Sequence, residues 1–172
     1  MQKAIDDSIQ ESDEELSRDD FFLSSKLWNN FHSKEMVQTA ITSILKNLGI
    51  DYLDLLYIHW PMALQETCIQ DPFPKDEQGN LIFSEINFKE TFKEMEKSLD
   101  ISNIGLCNFN IVILLFLKKI IFSIIVKNKE IFFKNQLSEV VDTCEIKPTV
   151  HQIEVNPYFN NQKLVKFSQS NE

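Results

Sequence analysis

Glycine is scarce in this chain: its 172 residues include three, against fourteen phenylalanines. An enzyme of this length ordinarily spends more glycine on turns and on close backbone approach to ligands. No Gly-x-Gly-x-x-Gly follows any apolar run, so the usual dinucleotide-binding fingerprint is missing. Cysteine is equally sparse. Cys68, Cys107 and Cys144 are odd in number and far apart, which excludes both a disulfide framework and a zinc-site spacing. A reducing, cytoplasmic setting is therefore expected. His32, His59 and His151 likewise have no carboxylate or cysteine arrangement that points to a metal.

Positive charge is in deficit. Lys and Arg total 17 against 26 Asp and Glu, a net charge of −9. This argues against a nucleic-acid partner, because phosphate binding needs a basic face. A membrane span is not expected either: the longest apolar stretch, residues 111–126, is broken by Lys118 and Lys119. The N-terminus is acidic and lacks an apolar core, so it does not read as a signal peptide. Its Asp6, Asp7 and Asp13-Glu14-Glu15 read as a solvated helix or tail.

What is present is a globular composition, 43% hydrophobic and 25% charged, in a chain long enough for one domain with a core. Four short apolar runs, at 21–23, 53–58, 104–106 and 150–155, read as buried strands. Helical patterns lie between them. Ser33 is placed to cap a helix whose apolar face is Met36, Val37, Ala40, Ile41, Ile44, Leu45 and Leu48, with Gly49 as its stop. Asn87 and Glu90 resemble a capping pair, followed by a stripe of Phe88, Phe92, Met95 and Leu99. Leu137, Val140, Val141 and Cys144 make a shorter face, and another helix begins near Leu164. Strand–helix alternation predicts an α/β fold with a parallel sheet. An open doubly wound sheet and part of a (β/α)8 barrel both satisfy it.

In such folds the site lies at the carboxyl ends of the strands. The first run leads into Ser24-Ser25-Lys26-Leu27-Trp28, the second into His59-Trp60-Pro61, and the third into Cys107-Asn108-Phe109-Asn110. The fourth carries Gln152 and Glu154. Individually each has a bland explanation. A lysine after a strand is usually solvated, a histidine beside tryptophan is often a wall residue, and a buried glutamine needs only a backbone partner. Their shared placement is what points to a site.

These segments, together with Leu48-Gly49-Ile50-Asp51-Tyr52-Leu53-Asp54 and Lys147-Pro148-Thr149-Val150-His151-Gln152, resemble the third to sixth strand motifs of the aldo-keto reductases, in the same order. The resemblance implies a partial (β/α)8 TIM barrel, with residues 1–172 as a single incomplete barrel domain. It implies hydride transfer between NADP(H) and a small carbonyl substrate, an aldehyde or ketone, in a parent enzyme that is monomeric. By resemblance Lys26 and His59 are catalytic. Lys26 would lower the pKa of a tyrosine proton donor, and His59 would hydrogen-bond the substrate carbonyl. Cys107, which stands where the family usually has serine, Asn108 and Gln152 would bind the nicotinamide. Trp28 and Trp60 would wall the substrate pocket.

The chain departs from the family pattern in three ways. The family's aspartate and tyrosine precede its third strand, and Tyr52, Tyr57 and Tyr158 do not sit in that context. The family's grip on the adenosine phosphate would lie beyond Glu172. Residues 97–103 also lack the family's Lys-Gly turn. A non-catalytic barrel used as a binding or structural subunit, and a truncated product without function, are the competing readings; retention of both Lys26 and His59 favours an enzyme.

Residues 111–135 are an atypical insertion without a family counterpart. They lack Gly, Pro, Ala, Asp, Arg and Thr, and most of their residues can be encoded by AT-rich codons. Joining Asn110 to Gln136 restores a normal passage from strand to helix. We read the segment as translated intron; a lineage-specific helix or hairpin is the alternative. Reverse transcription and sequencing of the message is expected to yield a spliced product without these codons. A mature message that retains them would refute the intron.

Overall fold

The computed structural model describes residues 2–12, 16–66, 71–109 and 136–170. Cys68, Asp13-Glu14-Glu15, Asn110 and the atypical segment 111–135 lie outside the described residues.

Among the described residues five α-helices and six strands follow one another as α1 (Gln2–Glu11), β1 (Ser24–Leu27), α2 (Lys34–Leu48), β2 (Leu55–Ile58), β3 (Ala63–Leu64), β4 (Phe83–Ser84), α3 (Phe88–Met95), β5 (Ile104–Cys107), α4 (Gln136–Thr143), β6 (Val150–Gln152) and α5 (Gln162–Gln169). Strands β1, β2, β5 and β6 form a parallel sheet in that spatial order. Parallel neighbours cannot be joined by tight turns, and α2, α3 and α4 lie in the three connections. β3 and β4 make a small antiparallel pair within the long β2–α3 connection.

Register decides which side chains meet. One row across the sheet is Leu27, Ile58, Leu106 and His151, with Ser25, Leu56 and Ile104 below it. The alternate row is Lys26, Tyr57, Gly105 and Val150. The first face packs on the helices: Leu27, Leu56, Ile58 and Leu106 join one buried cluster with Ile5, Ile41, Phe92, Val140 and Leu164, one from each helix. On the other face the buried cluster is small, made of Leu55, Tyr57 and Cys107. A doubly wound sheet carries helices on both faces. Here all five contribute to the core on one face, which leaves the barrel arc of the two architectures the sequence allowed.

Local chemistry explains the best-formed helix. Ser33 is extended at φ −69°, and its side chain accepts from the Met36 N–H. Gly49, at φ 69°, takes the left-handed conformation that a side chain would disfavour, and its N–H returns to the Leu45 carbonyl at 2.8 Å. Asn87 caps α3 by accepting from Lys89 N–H. Among the described residues no helix is long and apolar enough to cross a membrane.

Several expected boundaries move. The first strand is Ser24–Leu27, not 21–23, so Lys26 belongs to the strand itself. Residues 21–23 are an approach held by Arg18 and Asp54. Arg18 stacks on the Tyr52 ring at 4.0 Å and pairs with Asp54 at 2.9 Å, while Asp54 accepts from the Leu23 N–H. The second strand is Leu55–Ile58, and Leu53 forms an isolated bridge to Ile101. The fourth ends at Gln152 rather than at 155. α3 stops at Met95, so Leu99 leaves the helical stripe and is 98% exposed. The acidic N-terminal helix is not wholly solvated, since Ile5 is buried in the core.

His32 is fully buried in the β1–α2 loop, and among the described residues neither ring nitrogen has a hydrogen-bond partner. Its carbonyl accepts from Thr91 Oγ1 at 2.9 Å, tying that loop to α3. Burial disfavours the imidazolium and lowers the pKa from 6.5 to about 4. In the unfolded chain the ring takes its proton at about 6.5. The unfolded state therefore binds more protons between those limits, and stability falls as pH drops from about 6.5 to about 4. The full loss is about 3 kcal/mol. Urea denaturation across this window is expected to show that decline in the parent chain and a flattened profile in His32→Phe.

Candidate active site

At the carboxyl ends of β1, β2, β5 and β6 the chain brings together five of the seven predicted site residues from four different strands, with the two tryptophans beside them. Lys26 and Tyr57 are register partners on β1 and β2, and the Lys26 ammonium lies over the Tyr57 ring, 5.4 Å from its centroid. His59 follows β2, its N–H bonded to the Leu27 carbonyl at 3.1 Å. Cys107 pairs in register with Gln152.

Asn108 stitches these ends together. Among the described residues it is one of two non-glycine residues with positive φ, at 61°, a conformation that Asn tolerates better than most residues. Its N–H donates to the Gln152 carbonyl at 2.9 Å. Its Nδ2 donates to the His59 carbonyl at 3.0 Å and to Cys107 Sγ at 3.3 Å. The Cys107 thiol in turn donates to Gln152 Oε1 at 3.4 Å. The glutamine oxygen thus meets a thiol and not a backbone group.

Both tryptophans border His59. Trp28 meets it edge-on at 4.9 Å and Trp60 stacks at 6.3 Å. Trp28 is fixed from the other side: its Nε1–H donates to the Pro72 carbonyl at 2.7 Å, and its ring meets Phe73 edge-on at 5.3 Å. Phe73 is half exposed and extends this aromatic wall. It escaped the sequence reading. The available signal was an aromatic between two prolines, Pro72-Phe73-Pro74, in the long β2–α3 connection.

The electrostatics are coupled. Burial lowers the His59 pKa, and the Lys26 charge lowers it further, so the ring is neutral at pH 7 and offers one N–H donor and one acceptor nitrogen. Burial raises the Cys107 pKa, with Lys26 opposing, so the residue is a thiol and a weak donor. Burial, with Cys107 nearby, also raises the Tyr57 pKa. That is the opposite of what an activated phenol needs, and the ammonium sits over the ring. Tyr57 is therefore not a substitute for the family's proton donor.

Nicotinamide binding can be tested on the donor set. Among the described residues Asn108 Oδ1 and Gln152 Nε2 make no hydrogen bond. One free acceptor just past β5 and one free donor at the end of the adjacent β6 are the complement of a carboxamide. The residues fit the group. His151 faces the other way: it lies between Ser168 Oγ at 2.9 Å and the Phe109 carbonyl at 3.0 Å, against α5.

Comparison with known proteins agrees with this geometry. The family model described as "Aldo/keto reductase family" matches residues 2–172. An uncharacterized oxidoreductase of Schizosaccharomyces pombe is 34% identical over 165 residues, 94% of this chain and 43% of that protein. Human aldo-keto reductase family 1 member C4 is 35% identical over 164 residues, 92% of this chain and 43% of its own length. Among solved structures, the aldose reductase of Schistosoma japonicum superposes with a TM-score of 0.78 at 36% identity, covering 98% of this chain and 48% of that one. That of Giardia lamblia gives the same TM-score at 27% identity. The chain spans about half the length of the relatives it matches, and its unclosed sheet is part of their TIM barrel. On the match across its length and the shared arc of strands, the chain belongs to the aldo/keto reductase family.

Proposed function

We propose that this chain is the central part of an NADP(H)-dependent oxidoreductase that reduces aldehydes or ketones to alcohols. The observation that carries this reading is the placement of Lys26 and His59 at the ends of adjacent strands, close enough for the lysine's charge to depress the histidine's pKa. NADPH, when bound, supplies the hydride. Asn108 Oδ1 and Gln152 Nε2 would hold the carboxamide and so choose which face of the ring meets the substrate.

His59 stays neutral and donates its N–H to the substrate carbonyl, stabilising the charge that grows on that oxygen. Lys26 holds a positive charge beside the same oxygen and would favour ionisation of a phenol placed next to it. A phenol titrates near pH ~10, so this help is what makes it a usable acid at neutral pH. Trp28, Trp60 and Phe73 present an apolar aromatic wall, which favours a carbonyl substrate with an apolar or aromatic body. The proton-donating phenol is not among the described residues at the site.

Residues 1–172 alone are accordingly expected to show no NADPH-dependent aldehyde reduction by absorbance at the nicotinamide band; turnover above blank in a clean preparation would refute this. In a parent enzyme that includes this stretch, Lys26→Met is expected to lower kcat by about 10²-fold or more. Asn108→Ala or Gln152→Ala is expected to weaken NADPH binding roughly tenfold, the worth of one hydrogen bond.

The Lys26–His59 coupling has its own test. Removing the charge in Lys26→Met takes away one of the two effects that depress the His59 pKa, so the ring should titrate at higher pH than in the parent. The measurement is the His59 C2 proton shift by NMR. An unchanged midpoint would break the electrostatic link on which the proposed roles depend.

A further inference from the structure

Lys26 carries a charge at the centre of the candidate site, yet no carboxylate pairs with it among the described residues. Its ammonium lies over the face of Tyr57, 5.4 Å from the ring centroid. Three observations converge on that ring. First, Lys26 and Tyr57 are direct register partners on parallel strands, so their side chains leave the same face side by side. Second, Tyr57 is 7% exposed and packs with Leu55 and Cys107 on the sheet face opposite the helices. Third, the next residue in the same row is Gly105.

A Cβ built on Gly105 would stand 2.6 Å from Tyr57 Cδ1 and 2.8 Å from Cε1. No real Cβ tolerates that approach, so the glycine is the seat that lets the ring lie across β5. Two neighbours in one row thus set the ring: glycine on one side and the lysine on the other. A cation within about 6 Å of an aromatic centroid is attracted to the ring face, more so where water is partly excluded.

We propose that Tyr57 is a positioning residue for Lys26: its ring, seated on Gly105, is the surface that holds the ammonium at the carboxyl end of the sheet beside His59. The role belongs to the ring face and not to the hydroxyl. This rests on the reductase reading for its purpose, since a lysine that acts on a neighbouring phenol must be kept in place. The contact itself is independent of any turnover.

The test is competitive acylation of the lysines in the full chain, followed by peptide mass spectrometry, with solvent-exposed Lys166 as the internal reference. Lys26 is expected to react about two- to five-fold slower, relative to Lys166, in the parent and in Tyr57→Phe than in Tyr57→Leu. Equal rates in all three overturn the proposal. So does a Tyr57→Phe chain that reacts as fast as Tyr57→Leu, because the hydroxyl would then be responsible. The reciprocal measurement covers a Tyr57→Leu chain that fails to fold. In Lys26→Met the Tyr57 ring-proton signals should shift, while in Lys147→Met they should not; unmoved signals in Lys26→Met overturn the proposal by themselves. Neither readout uses catalysis. Absent turnover with these contacts intact would count against the reductase reading and leave the positioning role standing.

Discussion

Everything in this molecule hangs on the registration of four parallel strands. Side chains alternate between faces along a strand, so a slip of one residue would send Lys26 and Tyr57 into the helix layer and Leu27 and Ile58 out of it. The helix-facing rows are apolar apart from Ser25 and His151. The opposite rows contain Lys26, Tyr57, Gly105 and Cys107. The cost of burying a lysine among helices and exposing leucine and isoleucine is large enough to lock the alignment. The same lock aims the polar residues at the site. The core and the candidate site are thus set by one geometric choice, read from two sides of one sheet.

That alternation also explains what could be read from the sequence. β2 and β5 are buried on both faces, so they appear as continuous apolar runs. β1 has a single apolar side chain, Leu27, which shares the helix-facing side with Ser25, while Ser24 and Lys26 lie on the other. Its run therefore seemed to end early, and the apolar Phe21 and Leu23 beside it drew the boundary backwards. The capped helix α2 was legible nearly to the residue because Ser33 and Gly49 act locally. Leu99 misled because it keeps helical spacing from Met95 after the helix has ended. Trp28 shows the limit of local reading: its fixing partners, Pro72 and Phe73, come from more than forty residues away in the chain. The motif resemblance pointed to Lys26, His59, Asn108 and Gln152 as candidates, but nothing local in the sequence signalled the thiol between Asn108 and Gln152 or the ring beneath Lys26.

Cysteine at position 107 changes how the site is wired. The thiol accepts from Asn108 and donates to Gln152. Sulfur is a weak partner in both directions; it orients the two amides through Asn108 Nδ2 and Gln152 Oε1 and leaves Asn108 Oδ1 and Gln152 Nε2 to face the site. Burial keeps it protonated, while Lys26 pulls the other way. A thiolate there could not donate to Gln152, and its charge would offset that of Lys26. Keeping the thiol neutral and the histidine neutral leaves Lys26 as the one formal charge in this set.

A single charge is useful only if water does not dilute it. At a separation of 4 Å, two charges interact with about 1 kcal/mol in bulk water and about 4 kcal/mol at the effective dielectric of a protein surface. The sheet face opposite the helices is closed at its centre, where Leu55, Tyr57 and Cys107 are buried, and open along β6, where Val150 and Gln152 are exposed. Lys26 and His59 are half-buried. The strands that complete the barrel in the structural relatives would therefore supply more than hydrogen-bond partners for the two open edges. By excluding water from this face they would raise the effect of Lys26 on whatever stands next to it. The same enclosure would sharpen the need for a ring to hold the lysine, because an ammonium that leaves water must find another surface to face. Tyr57 on Gly105 is such a surface, 5.4 Å from the Lys26 ammonium at its centroid.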